Sequence, residues 1–311
     1  MVISILLLLL SLGALYIGAE WLVRGSSALA ARAHITPLVI GLTVVAFGTS
    51  APELVVSLSA AFHGQGDIAI GNVVGSNILN ICLILGVAAI IYPMQIKTRT
   101  VKKDIPVMLI ATLLFTVLFW NGRIGRLEGL LFFAGIVAYT FYNLYFARKQ
   151  KETAEAPVVV SRHWYVDLLF LLAGLAILIF ASQLLVKNAV FLAKSFGVSE
   201  AVIGLTIVAF GTSMPELATS VVAAYRKNPE IAVGNVIGSN IFNLLAIIGT
   251  TALVHPISAP QVNYIDLLVM LGASLLLLPL ARTGYKISRV EGAGLVIVYV
   301  AYTLYLLRDV L

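Results

Sequence analysis

Long hydrophobic runs, separated by short polar punctuation, dominate the chain from end to end. An α-helix needs about 20 apolar residues to cross a bilayer. The runs predict spans near 2–23, 36–62, 67–92, 104–121 and 126–147. After a polar segment, RKQKETAEAPVVVSRH at 148–163, further spans follow near 164–187, 200–224, 230–254, 263–281 and 289–308. The fold class expected is therefore all-α, with ten membrane helices in 311 residues. The first run lacks a basic leading region and stays apolar to Trp21, so it reads as a retained helix rather than a cleaved signal.

The runs repeat. Residues 40–81 and 203–244 align without gaps at an offset of 163, with 26 of 42 positions identical. GLTVVAFGTSAPEL matches GLTIVAFGTSMPEL, and IAIGNVVGSNILN matches IAVGNVIGSNIFN. The same offset pairs Pro93 with Pro256 and Glu128 with Glu291, so the duplication covers essentially the whole chain. The expected organisation is a five-helix half at 1–147, a linker at 148–163 and a second half at 164–311. Five spans is an odd number, so the second half must enter the membrane from the opposite side.

Charge supports that inversion. Fifteen of the twenty Lys and Arg fall in alternate loops on one side of the predicted topology. The positive-inside rule then makes the linker cytoplasmic and places both termini outside. Inverted repeats with broken helices are a secondary-transporter architecture, with the site at mid-membrane where the copies meet. Composition agrees: 60% of residues are hydrophobic and 11% charged, against about 25% charged in soluble domains. The net charge of +6 comes from scattered loop residues, which suits anionic lipid and excludes a nucleic-acid-binding domain. The single Cys82 rules out a disulfide within the chain and reads as a core thiol.

The repeated segments GTSAPE (48–53) and GTSMPE (211–216) put a helix breaker beside a carboxylate in an apolar run. Pro52 cannot donate to the Gly48 carbonyl, nor Pro215 to that of Gly211, so each helix should kink or unwind across 46–50 and 209–213. Carbonyls freed there need a partner in a water-free bilayer. Thr49 and Glu53, like Thr212 and Glu216, are spaced to share a helical face. On the following helix Asn72, Ser76 and Asn80 form a polar stripe, repeated by Asn235, Ser239 and Asn243. Gly71 and Gly75, like Gly234 and Gly238, are small-residue pairs that let helices approach. Serine, threonine and asparagine also serve as interhelical glue, and the asparagines fit both readings. Intramembrane carboxylates are costly and mark ion paths, which singles out Glu53 and Glu216.

Carboxylate, hydroxyl, amide and carbonyl oxygens, with no nearby His or Cys, suit hard cations such as Ca²⁺ or Na⁺. Two carboxylates neutralise one Ca²⁺, and several Na⁺ could use the same oxygens in turn. Competition at one alternately exposed site yields exchange. Glu20 lacks a duplicated counterpart, its mate being Gln183. Glu128 and Glu291 lie at helix starts, where a carboxylate complements the helix dipole. Asp104, Asp167 and Asp266 also lie near span beginnings, and His34, His63, His163 and His255 share no metal-ligand spacing.

The paired GTSxPE and GNVxGSN segments resemble the two α-repeats of the cation/Ca²⁺ antiporter superfamily, the sodium/calcium exchangers. The compact loops resemble its prokaryotic branch. The resemblance implies that Glu53 and Glu216 are the central Ca²⁺ ligands, together with the backbone carbonyls of Thr49 and Thr212. It implies flanking Na⁺ sites completed by Ser50, Ser213, Ser76, Ser239 and the carbonyls of Ala46 and Ala209. Asn80 and Asn243 occupy positions lining the centre; some members, notably potassium-dependent ones, carry Asp at one of them. Here both are Asn, which lowers the charge of the site. The resemblance further implies that the first and sixth helices slide across a fixed core as a gate.

The expected function is Na⁺/Ca²⁺ antiport by a multi-pass protein of the prokaryotic cell membrane, a monomer without cofactor or catalytic residues. A Ca²⁺/H⁺ exchanger is the alternative within the superfamily. A cation channel fits less well, because two inverted glutamates differ from a rotationally symmetric ring. A membrane hydrolase lacks a nucleophile–base pair.

Overall fold

Apolar side chains along the first run leave only the backbone to satisfy its own polar groups, and the run is one helix. In the computed structural model, which describes residues 2–149, 161, 163–195 and 209–308, α1 spans Val2–Arg32. The first half continues with α2 (Pro37–Thr49), α3 (Ala51–Phe62), α4 (Gly66–Ile91), α5 (Thr100–Asn121) and α6 (Arg126–Lys149). The second half comprises α7 (Trp164–Ser195), α8 (Ala209–Thr212), α9 (Met214–Tyr225), α10 (Pro229–Val254), α11 (Tyr264–Arg282) and α12 (Arg289–Leu307).

Among the described residues eight helices are long and apolar enough to cross a membrane, and the bent pair α2–α3 makes a ninth. The expected span at 200–224 includes residues 200–208, which lie outside the described residues, as does most of the 148–163 linker. Four two-residue strands qualify the all-α expectation. β1 (Met94–Gln95) pairs antiparallel with β4 (Lys286–Ile287), and β2 (Arg123–Ile124) with β3 (Ile257–Ser258), each clipping a loop of one half to a loop of the other.

Two helices correct the predicted spans. α1 continues to Arg32 and α7 to Ser195, eight or nine residues beyond the expected ends at 23 and 187. Arg24 does not end the helix, because its guanidinium lies over the Phe170 ring at 4.3 Å. Ser26 and Ser27 return their hydroxyls to the carbonyls of Leu22 and Val23, so neither leaves a polar group bare. Arg32 pairs with Asp167 at 2.7 Å and also donates to the Ser161 carbonyl. At 31 and 32 residues, each helix is about 47 Å long, well beyond the ~30 Å hydrocarbon core.

α1 and α7 pack antiparallel. A methyl at Gly25 would lie 2.5 Å from the Leu171 amide, and one at Gly174 would lie 2.5 Å from that of Leu22. Elsewhere the halves interleave. α12 packs on the end of α4 and α6 on the end of α10, so each half's last helix covers the other half's core helix. Most of α4 and nearly all of α10 is buried, forming the centre. The outer helices expose large apolar side chains, Phe141, Val290 and Ile297 among them, as a lipid-facing belt does.

Candidate cation site

The two glutamates sit where the helix breaks. α2 ends at Thr49, and Ser50 (φ −83°, ψ 6°) interrupts the helix before α3, which departs at 44°. Ser213 (φ −88°, ψ 10°) does the same between α8 and α9. Pro52 and Pro215 fall in the first turn of the new helix, where a missing N–H costs nothing. Glu53 and Glu216 occupy that same first turn, so a helix N-terminus faces each carboxylate. Both are 1% exposed. The break thus lies at the serine, within each interval the motif predicts.

Thr49 turns its hydroxyl to the other half. Its hydroxyl donates to Asn235 Oδ1 at 3.1 Å and lies near Glu216. Thr212 likewise donates to Asn72 Oδ1 at 3.3 Å and lies near Glu53. Serines cross over in the same way: Ser50 donates to Glu216 Oε1 and Ser213 to Glu53 Oε1, both at 2.9 Å. Each carboxylate is therefore held by a hydroxyl of the other half. Ser213 also bonds Ser76 at 3.0 Å, and Ser239 lies beside Glu216.

Asn72 and Asn235 tie the breaks to the core. Asn72 donates to the Glu53 carbonyl and to Ser57 Oγ; Asn235 donates to the Glu216 carbonyl and to Ser220 Oγ. The small-residue pair Gly234 and Gly238 brings α10 against α2: a methyl at Gly238 would meet Leu42 Cα at 2.8 Å. A methyl at Gly71 or Gly75 would meet no described neighbour within 4 Å; the matching segment of the second copy, 201–208, lies outside the described residues. The Ala46 carbonyl, expected to be free, accepts the Ser50 amide at 3.0 Å and the Thr49 hydroxyl at 3.4 Å. The serine break lets the turn close on itself there. Of Ala209 only the backbone is described, as the first residue of α8.

Asn80 and Asn243 each open a π-turn, at Asn80–Ile84 and Asn243–Ile247, in helices otherwise regular. Such turns insert one residue and re-aim the side chain that begins them. Both asparagines are 1% exposed. Their amide groups donate to Asn240 and Asn77, two residues that the polar stripe did not single out. The signal was present, since the GSN triplet occurs in both copies.

Among the described residues nine buried side-chain oxygens lack a hydrogen-bond partner, and four of them are Glu53 Oε2, Glu216 Oε2, Asn80 Oδ1 and Asn243 Oδ1. Buried acceptors are rarely left so, and of these four two come from each half. The two carboxylates lie close enough to interact electrostatically. No basic residue offsets them among the described ion pairs, which are Arg32–Asp167, Lys97–Glu230 and Arg226–Glu20. Among the described residues no group of three His, Cys, Asp or Glu gathers to hold a metal. The chemistry available is thus a set of oxygen donors that includes two carboxyl groups, suited to hard cations. A cavity of about 350 Å³, lined by Pro52, Val55, Ile179 and Val186 among others, reaches Thr212 at its edge.

The other acids have structural partners. Glu291 forms a capping box with Ser288, and Glu128 accepts the Gly125 amide. Asp104 and Asp266 accept Tyr139 and Tyr302. Glu20, without a duplicated mate, pairs with Arg226 at 2.6 Å. Cys82 is fully buried in the core.

The sequence model of the family described as "Sodium/calcium exchanger protein" matches residues 3–145 and 166–308, once in each half. The sodium/calcium exchanger MaX1 of Methanosarcina acetivorans is 34% identical over 340 residues, covering 96% of this chain and 97% of that protein. The inner membrane protein YrbG of Escherichia coli is 37% identical, over 82% of this chain and 81% of its own length. A solved structure of the sodium-calcium exchanger NCX_Mj, soaked with Na⁺ and Ca²⁺, superposes with a TM-score of 0.86 at 32% identity and covers 97% of both chains. With the family pattern present twice, and with this architecture and an all-oxygen site, the chain belongs to the sodium/calcium exchanger family.

Proposed function

We propose that this protein exchanges Na⁺ for Ca²⁺ across a prokaryotic cell membrane, by alternating access to the site between α2–α3, α8–α9, α4 and α10. The observation that carries the reading is that Glu53, Glu216, Asn80 and Asn243, two from each half, each keep a buried oxygen without a hydrogen-bond partner, with no basic residue paired to the glutamates among the described residues. Glu53 and Glu216 take Ca²⁺ at the centre, with the carbonyls of Thr49 and Thr212. Ser50, Ser213, Ser76, Ser239 and the carbonyls of Ala46 and Ala209 complete flanking Na⁺ sites. Asn80 and Asn243 turn their oxygens to the centre, while Asn72 and Asn235 act as struts.

Ten helices in two inverted halves, 1–147 and 164–311, joined by a cytoplasmic linker at 148–163 and with both termini outside, give the two-sided access. A serine hydroxyl has one proton and two lone pairs. It can therefore keep its bond to the opposite glutamate while offering an oxygen to an ion. The similarity to MaX1, a sodium/calcium exchanger, supports the choice of ions. The test is ⁴⁵Ca²⁺ uptake into proteoliposomes with pH clamped: an imposed Na⁺ gradient drives saturable uptake. Uptake driven by a pH gradient alone would make the protein a Ca²⁺/H⁺ exchanger instead.

A further inference from the structure

Behind each central asparagine runs a short chain of side chains that alternates between the halves. Asn80 Nδ2 donates to Asn240 Oδ1 at 3.1 Å, and Asn240 Nδ2 points at the thioether of Met108 at 3.6 Å. In the other half Asn243 Nδ2 donates to Asn77 Oδ1 at 3.2 Å, and Asn77 Nδ2 points at Met270 Sδ at 3.7 Å. All six side chains are buried. A thioether contact is weak by itself, but a geometry recurring in both halves merits a cause.

Sulfur supplies one. A thioether can accept a hydrogen bond but has no proton to give. Asn240 must therefore turn its NH₂ toward Met108, which leaves its oxygen facing Asn80. Asn80 must answer with its own NH₂, which leaves its oxygen available to the centre of the proposed site. That oxygen is buried without a donor. The same steps from Met270 through Asn77 orient Asn243. Reversing either chain would set an amide NH₂ against the bound cation.

We infer that Met108–Asn240 and Met270–Asn77 are positioning residues that fix the amide polarity of Asn80 and Asn243, so that both present oxygen to Ca²⁺. The inference rests on the proposed Ca²⁺ site but not on Na⁺ as the driving ion. Leucine at 108 or 270 conserves volume and removes the acceptor, whereas glutamine restores one as Oε1.

The experiment is calorimetric Ca²⁺ titration of the solubilised protein, with melting temperatures measured alongside and uptake measured in liposomes. Met108→Leu and Met270→Leu each weaken Ca²⁺ binding about three- to tenfold, the range for one lost hydrogen bond, with melting close to wild type. Met108→Gln melts lower, because its NH₂ is buried, yet binds Ca²⁺ within about twofold of wild type. That opposite ordering of stability and affinity is not what lost packing produces. Unchanged affinity in both leucine variants overturns the inference, as does equal weakening by leucine and glutamine. Wild-type protein that binds Ca²⁺ but takes up none under a Na⁺ gradient refutes the exchange reading alone. Wild type that binds no Ca²⁺ refutes both.

Discussion

Gly238→Ala tests whether the contact between α10 and α2 sets the geometry of the flanking Na⁺ site. The added methyl would lie 2.8 Å from both Ala46 Cβ and Leu42 Cα, and 2.9 Å from the Leu42 carbonyl oxygen. Two of these three atoms are backbone, so no rotamer change relieves the clash. Carbon contacts settle near 3.5–4.0 Å, so the helices must part by roughly 0.7–1 Å. Ligand distances at an ion site tolerate only about 0.2 Å. Ala46, one helical turn before Ser50, moves with α2 and carries its carbonyl out of range. Loss of one oxygen ligand, taken as equivalent to a hydrogen bond to a charged group, weakens Na⁺ binding by about 1.5 kcal/mol, or roughly tenfold. Ca²⁺, which the proposed site holds chiefly through the glutamates, is affected less. Na⁺-driven ⁴⁵Ca²⁺ uptake reports both half-saturation constants in one preparation. Gly294→Ala, at an exposed position of α12 where a methyl would meet no described neighbour within 4 Å, is the control. A folded Gly238→Ala protein with unchanged Na⁺ half-saturation refutes the reasoning.

Three further outcomes follow from the geometry. Glu53→Gln and Glu216→Gln each keep the shape of the side chain but halve the site's charge; Ca²⁺ uptake is lost in both, and retained exchange in either sinks the site. Arg32→Met leaves Asp167 buried without its cation, in a pair with side-chain exposures of 28% and 1%; it lowers stability by about 1–3 kcal/mol, between surface and buried limits. Thermal unfolding checks this, with recovery expected in the Arg32→Met, Asp167→Asn double variant. Lys227 (φ 56°) and Tyr285 (φ 52°) hold left-handed backbone where the first copy has Gly64 (φ 71°) and Gly122 (φ 73°). Replacing either by glycine raises stability by up to about 1 kcal/mol, and a lower melting temperature would count against the strain.

The two breaks were legible because proline and glycine act locally, through a missing N–H that no tertiary context restores. The glutamates were legible because a carboxylate in an apolar run has few reasons to be there. What sequence did not reveal is which half holds which glutamate. Spacing put Thr49 on one face with Glu53, but spacing within one helix could not show that the Thr49 hydroxyl reaches Asn235 of the other half. The lengths of α1 and α7 were missed for a related reason: Arg24 looks like an end until Phe170 is found beneath it. The π-turns at Asn80 and Asn243 leave no mark in composition. Asn77 and Asn240 were hidden because they lie off the four-residue stripe, on the side facing Met270 and Met108.

The crossed serine bonds also bear on why such a site would exchange rather than leak. Glu53 is held by Ser213 and Glu216 by Ser50, so neither half completes the site alone, and the groups of both must stay together through the cycle. Access must then change by movement of other elements past this centre. α1 and α7 are suited to that, since they pack backbone-close on each other, and α1 is tied to the neighbouring α9–α10 turn by Glu20–Arg226 and Ser27–Asn228. The part-exposed Glu20–Arg226 tie is weak individually and can re-form. An empty centre carries two carboxylates without a paired basic residue, and closing it from water on both sides would bury both charges at a cost of several kcal/mol each. A bound cation removes that cost, as a proton on each carboxylate would. The barrier to crossing is therefore low only when the site is loaded, and a carrier that returns only when loaded must take one ion back for another.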